Sequence, residues 1–118
     1  MIYVAYAVVL GASLSGFTID PSKMSPPSRV YYDCMMKHTA LYAKKSPSAD
    51  EVIAAAGAAC RSVRERSILE SASATLKEMR SKGLDPDPAV VLSGTREGVD
   101  DADAIMRPDL IRNVLDSR

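Results

Sequence analysis

Residues 28–63 read SRVYYDCMMKHTALYAKKSPSADEVIAAAGAACRSV, two helical patterns around a Ser-Pro-Ser break. In the first, Val30, Tyr31, Cys34, Met35, His38, Leu41 and Tyr42 recur at spacings of three and four, which places them on one helical face. Ser28 is the expected N-cap, Lys44 and Lys45 suit the carbonyl end of the helix, and Ser46-Pro47 stops it. The second pattern opens with Ser48-Ala49-Asp50-Glu51, a capping box in which hydroxyl and carboxylate satisfy each other's backbone amides. It runs to Lys82, with Gly83 as its stop. Val52, Ala56, Cys60 and Val63 form one apolar stripe, and Leu69, Ala72, Leu76 and Met79 another. The two are slightly out of phase around Arg64 to Ser67, which predicts a bend or a change of packing partner there. The expected fold is all-α: an antiparallel helical hairpin over 29–82, with one or two short C-terminal helices packed on it.

The cysteines stand symmetrically about the turn. Cys34 lies 13 residues before Pro47 and Cys60 lies 13 after it, so in an antiparallel hairpin they are level, each roughly 20 Å from the turn. A Cys34–Cys60 disulfide is the leading reading. Free buried thiols remain open, since unpaired cysteine is among the most buried residue types. So does a metal site of Cys34, His38 and Cys60, which lacks an evident fourth ligand beyond Asp33.

Outward from the hairpin, residues 1–16 (MIYVAYAVVLGASLSG) hold 12 apolar residues and no charge. An apolar run followed by small residues resembles a signal peptide, with cleavage expected after Ser15, although no basic residue precedes Lys23. Two other readings stay open: a buried core element of a cytosolic domain, or a membrane anchor through residues 1–19. Residues 17–28, with Pro21, Pro26 and Pro27, read as a Pro-rich linker. Residues 21–82 carry a net charge of +5 and residues 83–118 a net of −4. The acidic C-terminal region at 83–118 is therefore expected to fold back on the basic hairpin. Its apolar contacts would be Val90, Val91, Leu92, Ile105, Leu110, Ile111, Val114 and Leu115, with Pro108 starting a short helix.

Little in the chain suggests catalysis. His38 is the single histidine, there is no C-x-x-C redox motif, and Ser93 to Gly98 lacks the Gly-Lys-Ser/Thr end of a phosphate loop and reads as a turn. Asp85-Pro86-Asp87-Pro88 and Asp100-Asp101-Ala102-Asp103 break the ligand spacing of a calcium loop and read as solvated surface, the second opening a short helix. With 15 basic and 15 acidic residues, the whole chain lacks the basic excess of a nucleic-acid binder.

Tyr31-Tyr32-Asp33-Cys34, the Ser46-Pro47-Ser48 turn and Ala55-Ala56-Gly57-Ala58-Ala59-Cys60-Arg61 resemble small exported two-cysteine helical proteins of bacteria, over about residues 30–66. That resemblance implies no activity and carries over no functional residue. The expectation is thus a periplasmic or secreted helical interaction module without cofactor, stapled by Cys34 and Cys60. Tyr31, Tyr32, Arg61 and Arg64 are its candidate surface, toward a protein or an anionic partner.

Overall fold

A computed structural model describes residues 19–118, four helices packed together with no strand among them. They are α1 (Pro26–Tyr42), α2 (Ala49–Ala59), α3 (Arg61–Ser81) and α4 (Pro88–Asp116), preceded by a 3-10 turn at Pro21–Lys23. The leader-like segment at 1–16, and with it the signal, anchor and core-element readings, lies outside the described residues. No helix among the described residues is long and apolar enough to cross a membrane.

The N-cap of helix α1 falls three residues before the expected one. Ser25 is the N-cap, and Pro26 and Pro27, two of the three prolines assigned to a linker, are the first two helical residues. At those positions the amide has no intrahelical acceptor, so proline loses nothing there and its fixed φ suits the turn. The helix ends at Tyr42, leaving Lys44 and Lys45 beyond it. Its carbonyl end is closed from the far terminus instead: Arg118 donates to the Ala43 carbonyl at 3.0 Å and to Ser46 at 2.7 Å.

At the start of α2 the Ser48 hydroxyl accepts from the Glu51 amide at 3.3 Å, as a capping box requires. The return half runs through Ser46, whose hydroxyl donates to Glu51 Oε1 and accepts from the Ser48 amide. The bend expected at 64–67 falls at Cys60, which has φ −98° and ψ 9° and separates α2 from α3. The out-of-phase stripes are therefore two helices meeting at a bonded cysteine. Gly83, at φ 84°, ends α3 in a Schellman arrangement: its amide donates to Arg80 and that of Leu84 to Met79.

The C-terminal region is one helix of 29 residues, not one or two short ones. Asp87 caps it by accepting from the Ala89 amide at 2.9 Å, and Pro88 is its first residue. Ser93 to Gly98, expected to turn, is helical, and Pro108 lies inside the helix rather than at a start. The Asp100-to-Asp103 cluster is likewise mid-helix. Proline removes a hydrogen bond from the ladder, but burial offsets that cost. Met106, Leu110 and Val114, four residues apart on both sides of Pro108, form one continuous buried stripe against the rest of the core.

That core comprises Tyr31, Tyr32, Met35 and Ala43 of the α1 segment, Val52, Ile53, Ala56 and Cys60 around α2, and the α4 stripe. Ile68 and Ala72 are buried farther along α3. Several residues expected to face inward do not. Val30 and Leu41 of α1, Leu69 of α3, and Val90, Ile105 and Leu115 of α4 are exposed. Each stripe is narrower than the full apolar pattern, and α1's buried face centres on Tyr31, Tyr32, Met35 and Thr39.

Candidate functional site

Two side-chain constellations cross the core, and the first joins α1 to the α2–α3 junction. Cys34 and Cys60 form a disulfide, with Cα atoms 6.1 Å apart. Level placement about Pro47 is what the sequence symmetry implies. Cys60 is fully buried and Cys34 partly exposed. One turn beyond Cys34, His38 Nδ1 lies 3.6 Å from Cys34 Sγ and 3.5 Å from Cys60 Sγ. The same nitrogen is 2.9 Å from the Cys34 carbonyl oxygen. A carbonyl only accepts, so Nδ1 carries the proton in this arrangement. The ring of Tyr42 lies beside the imidazole, tilted by 56° with its centroid 5.7 Å from that of His38. The three potential ligand atoms lie within 4.8 Å of one another, so Cys34, His38 and Cys60 are brought together as the metal reading needs. Asp33 is not: it is exposed and pairs with Arg29 at 3.4 Å.

The second constellation holds α4 to α1 and α3. Tyr31 donates its phenolic proton to Asp103 Oδ1 at 2.7 Å. Arg64 reaches Asp103 Oδ2 through Nε at 3.1 Å and NH2 at 2.9 Å, and Asp100 at 2.6 Å. Burial disfavours the Arg64 charge, yet its hydrogen bonds to Asp103 and Asp100 prevail and hold it above its ordinary pKa. Tyr31 and Tyr32, expected at the exposed boundary, are buried, and Arg64 is committed to the α4 acids. Of the four candidate surface residues, Arg61 stands exposed.

The charge asymmetry between hairpin and C-terminal region is thus realised at Arg64, but two further bridges have the opposite sense. Arg96 of α4 grips Glu65 of α3 with both guanidinium nitrogens, and Arg107 of α4 bonds Asp50 of α2. The Arg96 hydrogen bonds hold the Glu65 carboxyl below its usual range.

Sequence reasoning passed over the polar seam beneath α4. Asn113 donates to the Met36 carbonyl and the Thr39 hydroxyl, both at 2.8 Å, while buried Thr39 donates to the Met35 carbonyl. Asp109, also buried, accepts from Arg112 and from the Ile19 amide. The periodicity held one clue: Thr39 and Asn113 fall within the apolar stripes of their helices, where a polar residue needs a partner.

Burial first, then the bond to Asp103, pushes the Tyr31 phenol well above the ordinary tyrosine range. Burial also raises Tyr32, with Asp109 and Asp33 adding to the effect. Below about pH 10 both folded and unfolded chains keep these protons; above it only the folded chain does. Stability should therefore fall as pH rises past the unfolded tyrosine pKa, by up to about 1.4 kcal/mol per unit for Tyr31, with Tyr32 acting in the same direction. Tyr31→Phe should cost about 1 kcal/mol near neutrality and make this alkaline decline shallower. Urea midpoints from about pH 8 to about pH 11 check both effects.

Surface hollows of about 400 and 310 Å³ lie beside the α1–α2 turn, lined by Ala43 to Pro47 with Arg118, and by Tyr42, Lys45, Ser46, Glu51, Val52 and Ala55. Neither reaches His38 or the disulfide. No family model, curated protein or solved structure matches the chain.

Proposed function

We propose that this protein is a small exported helical interaction module that binds through its helix faces and catalyses nothing. The observation that carries the reading is the Cys34–Cys60 disulfide at the meeting point of α1, α2 and α3. Structural disulfides belong to oxidising compartments, and an apolar, uncharged leader-like segment precedes this one. The non-catalytic part is supported by how the chemistry-bearing side chains are used. His38 is tied to a backbone carbonyl, Tyr31 and Arg64 to Asp103, and the Ser46 hydroxyl beside the hollows is spent on Glu51 and the Ser48 amide in the α2 cap. Apolar side chains are available for contact instead: Leu69 and Leu84 are about half exposed and Val90 is 66% exposed.

Intact mass of the natively expressed protein, under denaturing conditions with and without reductant, tests the reading. The expected result is a chain lacking about 15 residues that gains roughly 2 Da on reduction. A full-length species unchanged by reductant would overturn it.

A further inference from the structure

The sulfur–imidazole cluster has a geometry that a covalent staple does not require. Around a tetrahedral zinc ion, bonds of about 2.3 Å to sulfur and about 2.0–2.1 Å to nitrogen put each sulfur–nitrogen edge near 3.6 Å. The same bond lengths put the sulfur–sulfur edge near 3.8 Å. Both sulfur–nitrogen edges already stand at that length, 3.6 Å from Cys34 and 3.5 Å from Cys60. Only the sulfur–sulfur edge is short, because the two sulfurs are covalently bonded. Cys34 is partly exposed, so the opening of that edge falls on its side, whereas Cys60 is fully buried and His38 lies beside the Tyr42 ring.

We propose that reduction of the Cys34–Cys60 disulfide converts this cluster into a site for a zinc-class divalent cation, with Cys34 Sγ, Cys60 Sγ and His38 Nδ1 as ligands. The disulfide then acts as a lock that excludes the metal under oxidising conditions. In the first step two equivalents of a thiol reductant deliver two electrons and two protons. The sulfur–sulfur bond breaks, two cysteine thiols form, and the reductant leaves as its own disulfide. In the second step the cation displaces both thiol protons to solvent and forms two sulfur bonds. His38 moves its proton from Nδ1 to Nε2 through water, releasing the Cys34 carbonyl and freeing the Nδ1 lone pair. Water takes the fourth position, since Asp33 is engaged with Arg29. This goes beyond the interaction reading, and its failure leaves the mass experiment untouched.

The test uses the full chain reduced with a phosphine under anaerobic conditions, titrated with cobalt(II) and then zinc(II), with helicity followed by circular dichroism. Reduced protein should take up one equivalent of cobalt with a thiolate charge-transfer band, and one equivalent of zinc should displace it. The oxidised protein should bind at least 100-fold more weakly. His38→Gln should weaken binding to the reduced chain at least tenfold, while Lys37→Gln, the preceding exposed residue, leaves it unchanged. A reduced chain that stays helical yet shows no thiolate–cobalt band overturns the proposal, as does His38→Gln binding at full affinity. If reduction alone unfolds the chain, zinc should restore helicity; failure to restore it overturns the proposal equally.

Discussion

Leu110→Ala should lower the unfolding free energy by about 3 kcal/mol, within the 2–5 kcal/mol range of large-to-small core changes. Leu110 is 2% exposed and central in the Met106–Leu110–Val114 stripe, so truncation opens a void against α1 and α2. Collapse around that void is resisted. Asn113 is bonded to Met36 and Thr39 one turn away, and Asp103 to Tyr31 and Arg64 on the other side, so α4 is pinned on both flanks. Leu115→Ala is the matched control. Both leucines belong to the same sequence pattern, but Leu115 is 56% exposed and its truncation should cost under about 0.5 kcal/mol. Chemical denaturation of the two variants checks the contrast. Equal losses would mean that α4 does not present the face described.

Opening the disulfide should have a comparable effect. Cys34 and Cys60 are 26 positions apart, and in the chain-entropy account a covalent loop of that size stabilises by roughly 3.5 kcal/mol. Guanidine midpoints with and without a phosphine reductant, in metal-free buffer, measure it. The two serine substitutions should then differ under reducing conditions. Cys60→Ser places a hydroxyl where exposure is nil and should cost about 1–3 kcal/mol more than reduction alone. Cys34→Ser, partly exposed, should cost about 1 kcal/mol or less.

The α1–α2 hairpin and its staple were legible because their signals are local. Ser48 caps the helix it should, Gly83 ends the helix it should, and symmetry about Pro47 makes Cys34 and Cys60 level. The C-terminal region was misread for a reason equally physical. Gly94, Gly98 and Pro108 argue against helix by propensity, and what overrides them is tertiary: buried Met106, Leu110 and Val114, and the pairing of Arg64 with Asp100 and Asp103. Those contacts join residues at least 36 positions apart, beyond what periodicity within one helix reports. Tyr31 and Tyr32 illustrate the same limit. Adjacent residues on a helix point about 100° apart, and burial of both requires partners on two sides, here α4 together with the rest of the core. The placement of His38 against both sulfurs depended on the break at Cys60 falling where it does, four residues before the position at which the stripes suggested it.

Because the bridge joins residues 34 and 60, the chain is a lariat rather than a string: one closed ring with two open tails. The whole of α4 belongs to the longer tail and encloses nothing. Under tension applied at the two termini, the load would pass from Cys34 through the bridge to Cys60. The intervening ring would be withheld from extension, shortening the stretched chain by about 90 Å. The first element to yield would be α4, whose hold on the ring is made of side chains alone. A short polypeptide joined in this way divides into a part that pulling can straighten and a part that only electrons can release.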